Sequence, residues 1–408
     1  MDKVLFAAFL AVFCASNTLY AAADLPTAEN IIKGHLRATR PAYKLPSFLK
    51  DTQPVPDPCA PHFPSNDGVT PDEEESAESL EPVSVKVVGL QNVTGNSCFA
   101  NAVTQAILSS PPLLNHIGAI GERVSKSPVM ELRNVVSQFR KTKPFDILDT
   151  KSFVYGSLKR FFGEQEGIQH DAGEFALQLF DLFPKYFPAG VNRTAVTCSA
   201  CGRESNSRER TTIYDIPYNH SENQINTVEE ALANYQKVEE LTGAEAYACD
   251  ICNGKQSAFK QIVISPHEEL LVIRLIRESF NKNTSRNDKC FTPIMVGRTV
   301  TVNGLEYDLT GAVLHQGNAG FGHYIALIRA PFLHRETSRW TSSPFWYTAN
   351  DNRIDSPLAG EDMLKAIMAG ERPAGFDVVM LFYAKKSGLT ETFEIHRPEP
   401  PTSWCSIQ

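Results

Sequence analysis

The spacing of apolar positions changes once along this chain. In its first half apolar residues recur every three to four places. Phe99, Ala102, Val103, Ala106 and Ile107 share one helical face and predict a helix over Cys98–Leu108, entered from a Gly-Asn-Ser turn. Val129, Leu132, Val135, Val136 and Phe139 form a second stripe, and Phe175, Leu179, Leu182 and Phe183 a third. Further on the period shortens. Leu270–Ile276 is a short, largely apolar run suited to a buried strand. Tyr307–Leu314, Tyr324–Ile328, Phe345–Thr348 and Val378–Tyr383 read as further strands separated by turn residues. Helices first and strands later predict an α+β class, without internal repeats.

These patterns fill residues 84–386, and both flanks lack them. Lys3, the apolar run Val4–Cys14 and the small residues Ala21–Ala23 follow the order of a secretory signal peptide, so 1–23 is expected to be a leader. That run is too short to span a bilayer. Residues 24–83 are expected to be a largely disordered linker, with Pro54, Pro56, Pro58, Pro61, Pro64, Pro71, Pro82 and the acidic run Asp72–Glu75. Residues 387–408, with Pro398, Pro400 and Pro401, are expected to be a flexible tail.

Composition narrows the class. The 408 residues are 42% hydrophobic and 21% charged, which is ordinary for a globular protein. A net charge of −8 without a Lys/Arg cluster argues against nucleic acid as a partner. Nine cysteines are too few for a disulfide scaffold, so each is read for its chemistry.

Cys98 stands where a Gly/Asn turn enters a helix. Backbone N–H groups and the helix dipole at that position favour thiolate and can hold an oxyanion, although a structural cysteine fits as well. A nucleophilic thiol needs a base. Gly320-Phe321-Gly322-His323-Tyr324 offers one, with His315 as a residue that can be purely structural. Downstream, Asn350-Asp351 ends an apolar strand; it suits either orientation of an imidazole or a simple turn.

Cys198-Ser-Ala-Cys201 and Cys249-Asp-Ile-Cys252 are two Cys-x-x-Cys pairs. Two such knuckles complete a tetrahedral site of four thiolates, and Asp250, Gly202 and Gly254 suit the turns. Two disulfides or a redox pair are the alternatives. A closed site of this kind is structural zinc, one ion, with no position open for catalysis.

Residues 89–106, which contain Gly-Leu-Gln-Asn-Val-Thr-Gly-Asn-Ser-Cys-Phe-Ala-Asn, resemble the cysteine box of the ubiquitin-specific protease family, Gly-Leu-x-Asn-x-Gly-Asn-Thr-Cys-aromatic-x-Asn. Residues 307–354 resemble that family's histidine box, and Gln169-His170-Asp171-Ala172-Gly173-Glu174-Phe175 looks like its Gln-Asp-Ala-x-Glu-Phe element with His170 added. The resemblance implies a papain-like cysteine protease fold with fingers, palm and thumb, the zinc site lying in fingers over about 190–265. It implies Cys98 as nucleophile, His323 as base, Asn350 as third member, Asp351 as a polar helper and Asn92 in the oxyanion hole. One departure bears on the last: Val93-Thr94 stand where the family has a single residue, which leaves Asn96 as an alternative donor. Asp171 and Glu174 match positions that contact the basic tail of ubiquitin, if they are not simply a solvated helix face. Leu275-Ile276-Arg277-Glu278 departs from the family's Leu-Lys-Arg-Phe.

The implied activity is hydrolysis at the C-terminal glycine of ubiquitin, by a monomer whose partners are ubiquitin and ubiquitinated proteins. A ubiquitin-binding module without turnover and a protease for a ubiquitin-like modifier are the alternatives. Two features pull against simple secretion: four N-glycosylation sequons, at Asn92, Asn192, Asn219 and Asn283, where a glycan on Asn92 would block the cleft, and thiolate chemistry that suffers in an oxidising compartment. The last four residues, Cys405-Ser406-Ile407-Gln408, fit a prenylation box, and a membrane is a partner only if Cys405 carries the lipid. A leader joined to an intracellular chemistry leads to the expectation of an exported protein acting inside a host cell, with a cytoplasmic enzyme as the alternative.

Overall fold

The computed structural model describes residues 85–386 apart from 121–126, 164–166, 183–186, 219–224 and 335–336. The expected leader, linker and tail, with Cys405, lie outside the described residues, as do Phe183 and the sequon at Asn219.

Among the described residues there are seven α-helices: α1 (Cys98–Leu108), α2 (Pro111–Gly118), α3 (Pro128–Lys141), α4 (Lys151–Phe162), α5 (Ala172–Leu182), α6 (Val228–Tyr235) and α7 (Pro357–Met368). Local chemistry sets their ends. Ser127 accepts the Met130 N–H at the start of α3, Pro128 fills its first position, and Arg140 and Lys141 complement the dipole in its last turn. Thr227 and Glu230 form a reciprocal capping box at α6. Gly163 closes α4 at φ +70°, where a Cβ would be strained.

The strands begin with a short parallel pair, β1 (Gly89–Leu90) and β2 (Ile147–Leu148). A ribbon follows. It contains β3 (Gly190–Cys198) and β4 (Glu204–Thr211); the chain then enters the main sheet as β5 (Ile213–Pro217) and returns as β6 (Glu239–Leu241), the β7 (Tyr247–Cys249) and β8 (Gly254–Gln256) hairpin, and β9 (Ala258–Ser265). The ribbon order is β4-β3-β9-β6. The remaining strands are β10 (Leu270–Ile276), the hairpin β11 (Glu278–Asn281) and β12 (Arg286–Lys289), β13 (Thr299–Val302), β14 (Leu305–Gly317), β15 (Gly322–Leu333), β16 (Trp340–Asn350), β17 (Arg353–Ile354) and β18 (Asp377–Lys385). The main sheet runs β17-β16-β15-β14-β18-β10-β5, with β13 paired to β14.

This sheet is covered on both faces. Val272, Val313, Ala326, Ile328, Met380 and Phe382 pack with Phe99, Val103, Leu132 and Phe175 of the early helices. Leu271, Ile273, Leu314, Leu327, Leu381 and Tyr383 point the other way, onto Leu232 of α6 and Leu364 and Ile367 of α7. Burial on both sides is why these strands read as apolar runs rather than alternating ones. Because β15 and β16 are antiparallel, the start of one and the end of the other meet at the same end of the sheet. Helix α1 lies against β15.

Candidate active site

Cys98 is the first residue of α1 and is buried. Its neighbours are fixed by the loop before it. Asn92 Oδ1 accepts both the Ser97 N–H and the Ser97 hydroxyl, each at 2.9 Å. The extra residue of Val93-Thr94 is absorbed in a turn in which Gly95 holds φ +77° and its N–H faces the Asn92 carbonyl at 3.4 Å. Asn92 is therefore brought back to the helix start despite the altered spacing. Asn96 is exposed and donates its amide to the Gly167 carbonyl at 2.5 Å.

His323 lies near the start of β15 and Asn350 ends β16. The Nε2 of His323 meets Asn350 Oδ1 at 2.8 Å. The imidazole also acts on Cys98, drawing the thiol down as the thiol draws the ring up. The three residues thus form one line from helix to sheet. Asp351 does not bond the ring. It sits at φ +50° in the turn after β16, so the Asn-Asp turn and the strand end are both present. Its carboxylate accepts Asn92 Nδ2 at 3.1 Å and Asn101 Nδ2 at 2.7 Å. Asp351 is a brace that ties the cysteine loop and α1 to the end of β16.

Burial pushes the Cys98 thiol up, but the His323 hydrogen bond, the Tyr324 backbone N–H, the charge of His323 and the Gln169 amide together hold it below its ordinary value. His323 is pushed up to about 9, first by its hydrogen bond to Cys98, against burial and with help from Asn350. The two shifts are one effect: His323 favours the thiolate form of Cys98, and Cys98 favours the charged form of the ring.

Gln169 is a site residue that motif reading left without a role. Its Nε2 donates to the Gly322 carbonyl and reaches Cys98 Sγ at 3.4 Å, while its Oε1 accepts the Gly322 N–H at 2.9 Å. One amide therefore holds both peptide groups beside His323. The available signal was its place two residues before Asp171 in the same element.

Asp171 caps α5, accepting the Glu174 N–H at 2.8 Å, and takes the Tyr324 hydroxyl at 3.2 Å. Arg274 lies 3.7 Å from it but is held by Asp215 through two bonds of 2.8 and 2.7 Å. Burial and the charge of Asp171 raise the Glu174 carboxyl above its usual range. Asp171 thus joins the start of α5 to Tyr324, the residue after His323.

The structure also brings Cys198, Cys201, Cys249 and Cys252 together, with all four sulfurs within 4.8 Å of one another. Cys198 and Cys252 are 3.9 Å apart and Cys201 and Cys249 3.6 Å, far beyond a disulfide bond of about 2.05 Å. Zinc–sulfur bonds of about 2.3 Å in a tetrahedron put neighbouring sulfurs about 3.8 Å apart, so the spacing fits that ion. The Cys201 backbone N–H is the main influence drawing the Cys198 thiol down to about 7. In the first knuckle Gly202 takes φ +68°; in the second it is Asn253, at φ +52°, rather than Gly254 that takes the left-handed conformation.

With this geometry in view, the family model described as ubiquitin carboxyl-terminal hydrolase matches residues 88–383. The chain belongs to that family. Its enzymes are cysteine-type ubiquitin hydrolases, and the fold is the papain-like one with fingers, palm and thumb. This ubiquitin carboxyl-terminal hydrolase family member is similar to Ubiquitin carboxyl-terminal hydrolase 26 of Arabidopsis thaliana, 24% identical over 76% of this chain and 33% of the relative. It is also similar to Ubiquitin carboxyl-terminal hydrolase 17-like protein B of Mus musculus, 25% identical over 66% of this chain and 59% of the relative. The chain thus spans about a third of the plant relative's length. Among solved structures it resembles the SAGA Ubp8/Sgf11/Sus1/Sgf73 DUB module bound to ubiquitin aldehyde, with TM-score 0.56, 19% identity and coverage of 74% of this chain and 70% of that one. At that identity the likeness speaks for the fold.

Proposed function

We propose that this chain is a thiol-dependent deubiquitinase that cleaves the isopeptide or peptide bond after the C-terminal glycine of ubiquitin. The observation that carries the reading is His323 held between Asn350, at 2.8 Å, and Cys98 at the start of α1. The Cys98 thiolate attacks the glycine carbonyl carbon. Charge developing on the carbonyl oxygen is met by the unpaired N–H groups at the start of α1 and by the second amide proton of Asn92. The His323 imidazolium gives its proton to the leaving amine, and the C–N bond breaks to leave a thioester on Cys98. Neutral His323 then takes a proton from water, the hydroxyl attacks the thioester, and the thiolate departs. Asn350 keeps the ring aimed throughout.

Asp171 and Glu174 suit the basic tail of ubiquitin, because carboxylates beside a cleft pair with guanidinium groups. Cys198, Cys201, Cys249 and Cys252 are the residues to hold a zinc ion. Bound there, the ion cross-links the far end of the fingers, and four thiolates leave it no open position for chemistry.

The test is turnover of ubiquitin bearing a C-terminal fluorogenic amide, followed by a panel of diubiquitins and ubiquitin-like modifiers. Hydrolysis abolished by Cys98→Ala supports the reading. Tight binding of ubiquitin without turnover identifies a receptor instead, and preference for another modifier reassigns the substrate.

A further inference from the structure

Behind the β14–β15 turn lies a buried charged cluster that takes no part in the steps above. Lys289 ends β12 and Asp377 begins β18; their side chains are 2% and 0% exposed and pair at 2.9 Å. Arg372 approaches the same carboxylate with Nε at 2.5 Å and Nη2 at 3.1 Å, so Asp377 is paired twice. The ammonium has donors to spare. It reaches His315 Nδ1 at 2.8 Å, the Gly317 carbonyl at 3.1 Å and the His315 carbonyl at 3.4 Å. The His315 ring stacks on Tyr324 at 4.3 Å. Its Nε2 lies against Gly322, so close that a Cβ on that glycine would fall 2.2 Å away. Gly322 pairs with Gly317 across the turn and directly precedes His323.

We infer that Lys289 is a positioning residue for His323: its ammonium fixes His315 as the neutral ring protonated on Nε2 and pins the Gly317–Gly322 turn, so that His315 on one side and Gln169 on the other hold the backbone that carries His323. The inference rests on the reading of Cys98 and His323 as the reacting pair. A lysine suits the post because three tetrahedral N–H bonds reach a carboxylate, a ring nitrogen and a carbonyl together. The charged or titratable groups facing His315 are Lys289 from β12, Asp377 from β18, Asp171 at the start of α5, and His323 and Tyr324 from β15. Lys289 in turn faces Asp377, Arg277 and Arg372, with Glu278 opposite it on β11. Burial and then the Lys289 charge bring His315 down to about 4.

The experiment combines Lys289→Met with nitrogen NMR of the histidine rings in the full chain. The variant leaves Asp377 paired with Arg372, so the carboxylate is not orphaned. In the unsubstituted chain His315 is expected to be neutral and protonated on Nε2 from pH 5 to 8; in Lys289→Met it is expected to titrate nearer the ordinary value of about 6.5. The kcat for ubiquitin amide hydrolysis should fall by about tenfold or more while KM stays within about threefold and the fold is retained. A variant that turns over like its parent, or loses only KM, overturns the inference. So does an Nδ1-protonated His315, or one titrating near 6.5, in the unsubstituted chain, which settles the matter even if the variant fails to fold. If the unsubstituted chain does not hydrolyse ubiquitin at all, it is the proposed function that fails. Positioning is then read from alkylation of Cys98 by iodoacetamide, expected to be about tenfold slower in Lys289→Met, and overturned by equal rates.

Discussion

Asn350→Ala removes the acceptor that His323 Nε2 meets at 2.8 Å. In the resting pair this ring is charged, and a hydrogen bond to a charged group contributes about 1.5–3 kcal/mol. Both residues are half-buried, so water replaces part of the loss and the lower end of that range applies. At about 1.36 kcal/mol per pKa unit, the His323 value of about 9 should fall by about one. The sign follows from the mechanism. The rate rises with pH as Cys98 becomes thiolate and falls as His323 loses the proton it must give to the leaving amine. In the parent the alkaline limb of kcat/KM should lie near 9, and in Asn350→Ala it should move to lower pH by about one unit. At pH 8 the variant should retain about a tenth of the parent kcat/KM or less, since the freed ring also loses its aim. Asn350→Asp keeps an acceptor and adds a negative charge, so its limb should lie at or above that of the parent. The assay is a pH series with ubiquitin amide substrate from 5 to 10.5. An alkaline limb in Asn350→Ala that coincides with the parent's would refute the reasoning.

Gln169→Ala loses both bonds to the Gly322 peptide groups and the contact with the Cys98 sulfur; at about 1 kcal/mol per neutral hydrogen bond, kcat should drop by about 10- to 30-fold and the melting temperature by a few degrees. Cys201→Ser should release zinc, measured by elemental analysis, and lower the melting temperature, because the remaining thiolates lose their shared ion; full metal content in that variant rules out the four-thiolate reading. Glu174→Gln should raise KM for ubiquitin by about three- to tenfold with kcat unchanged, an effect that shrinks at high salt as a charge pairing must.

Leu270–Ile276 and Cys98–Leu108 were legible from end to end in the amino-acid pattern. The first is a largely apolar strand covered on both faces, and the second carries its apolar residues at helical spacing, so pattern marks them both. Strand β4 was not legible. Its sequence, Glu-Ser-Asn-Ser-Arg-Glu-Arg-Thr, is almost wholly exposed, and the strand exists through backbone pairing with β3, which leaves no hydrophobic period to read. Helix α4 buries Ser157 within its apolar stripe of Phe153, Val154 and Leu158, and the stripe is diluted accordingly. In the site, the positions of Cys98, His323 and Asn350 followed from motif order. Gln169 was overlooked because it acts on the backbone of Gly322, which any residue type presents. The spacing at Val93-Thr94 cast doubt on Asn92 because residue counting ignores the turn at Gly95; in three dimensions Asn92 bridges Ser97 to Asp351, a partner 259 positions away.

The most direct measurement is reaction of the full chain with ubiquitin carrying a C-terminal electrophile, with the adduct mapped by mass spectrometry. Expected is a single adduct on Cys98, absent from Cys98→Ala and formed far more slowly by His323→Ala. An adduct on Cys290 or on one of the four clustered cysteines, or firm ubiquitin binding with no adduct at all, contradicts the assignment of Cys98 as the nucleophile.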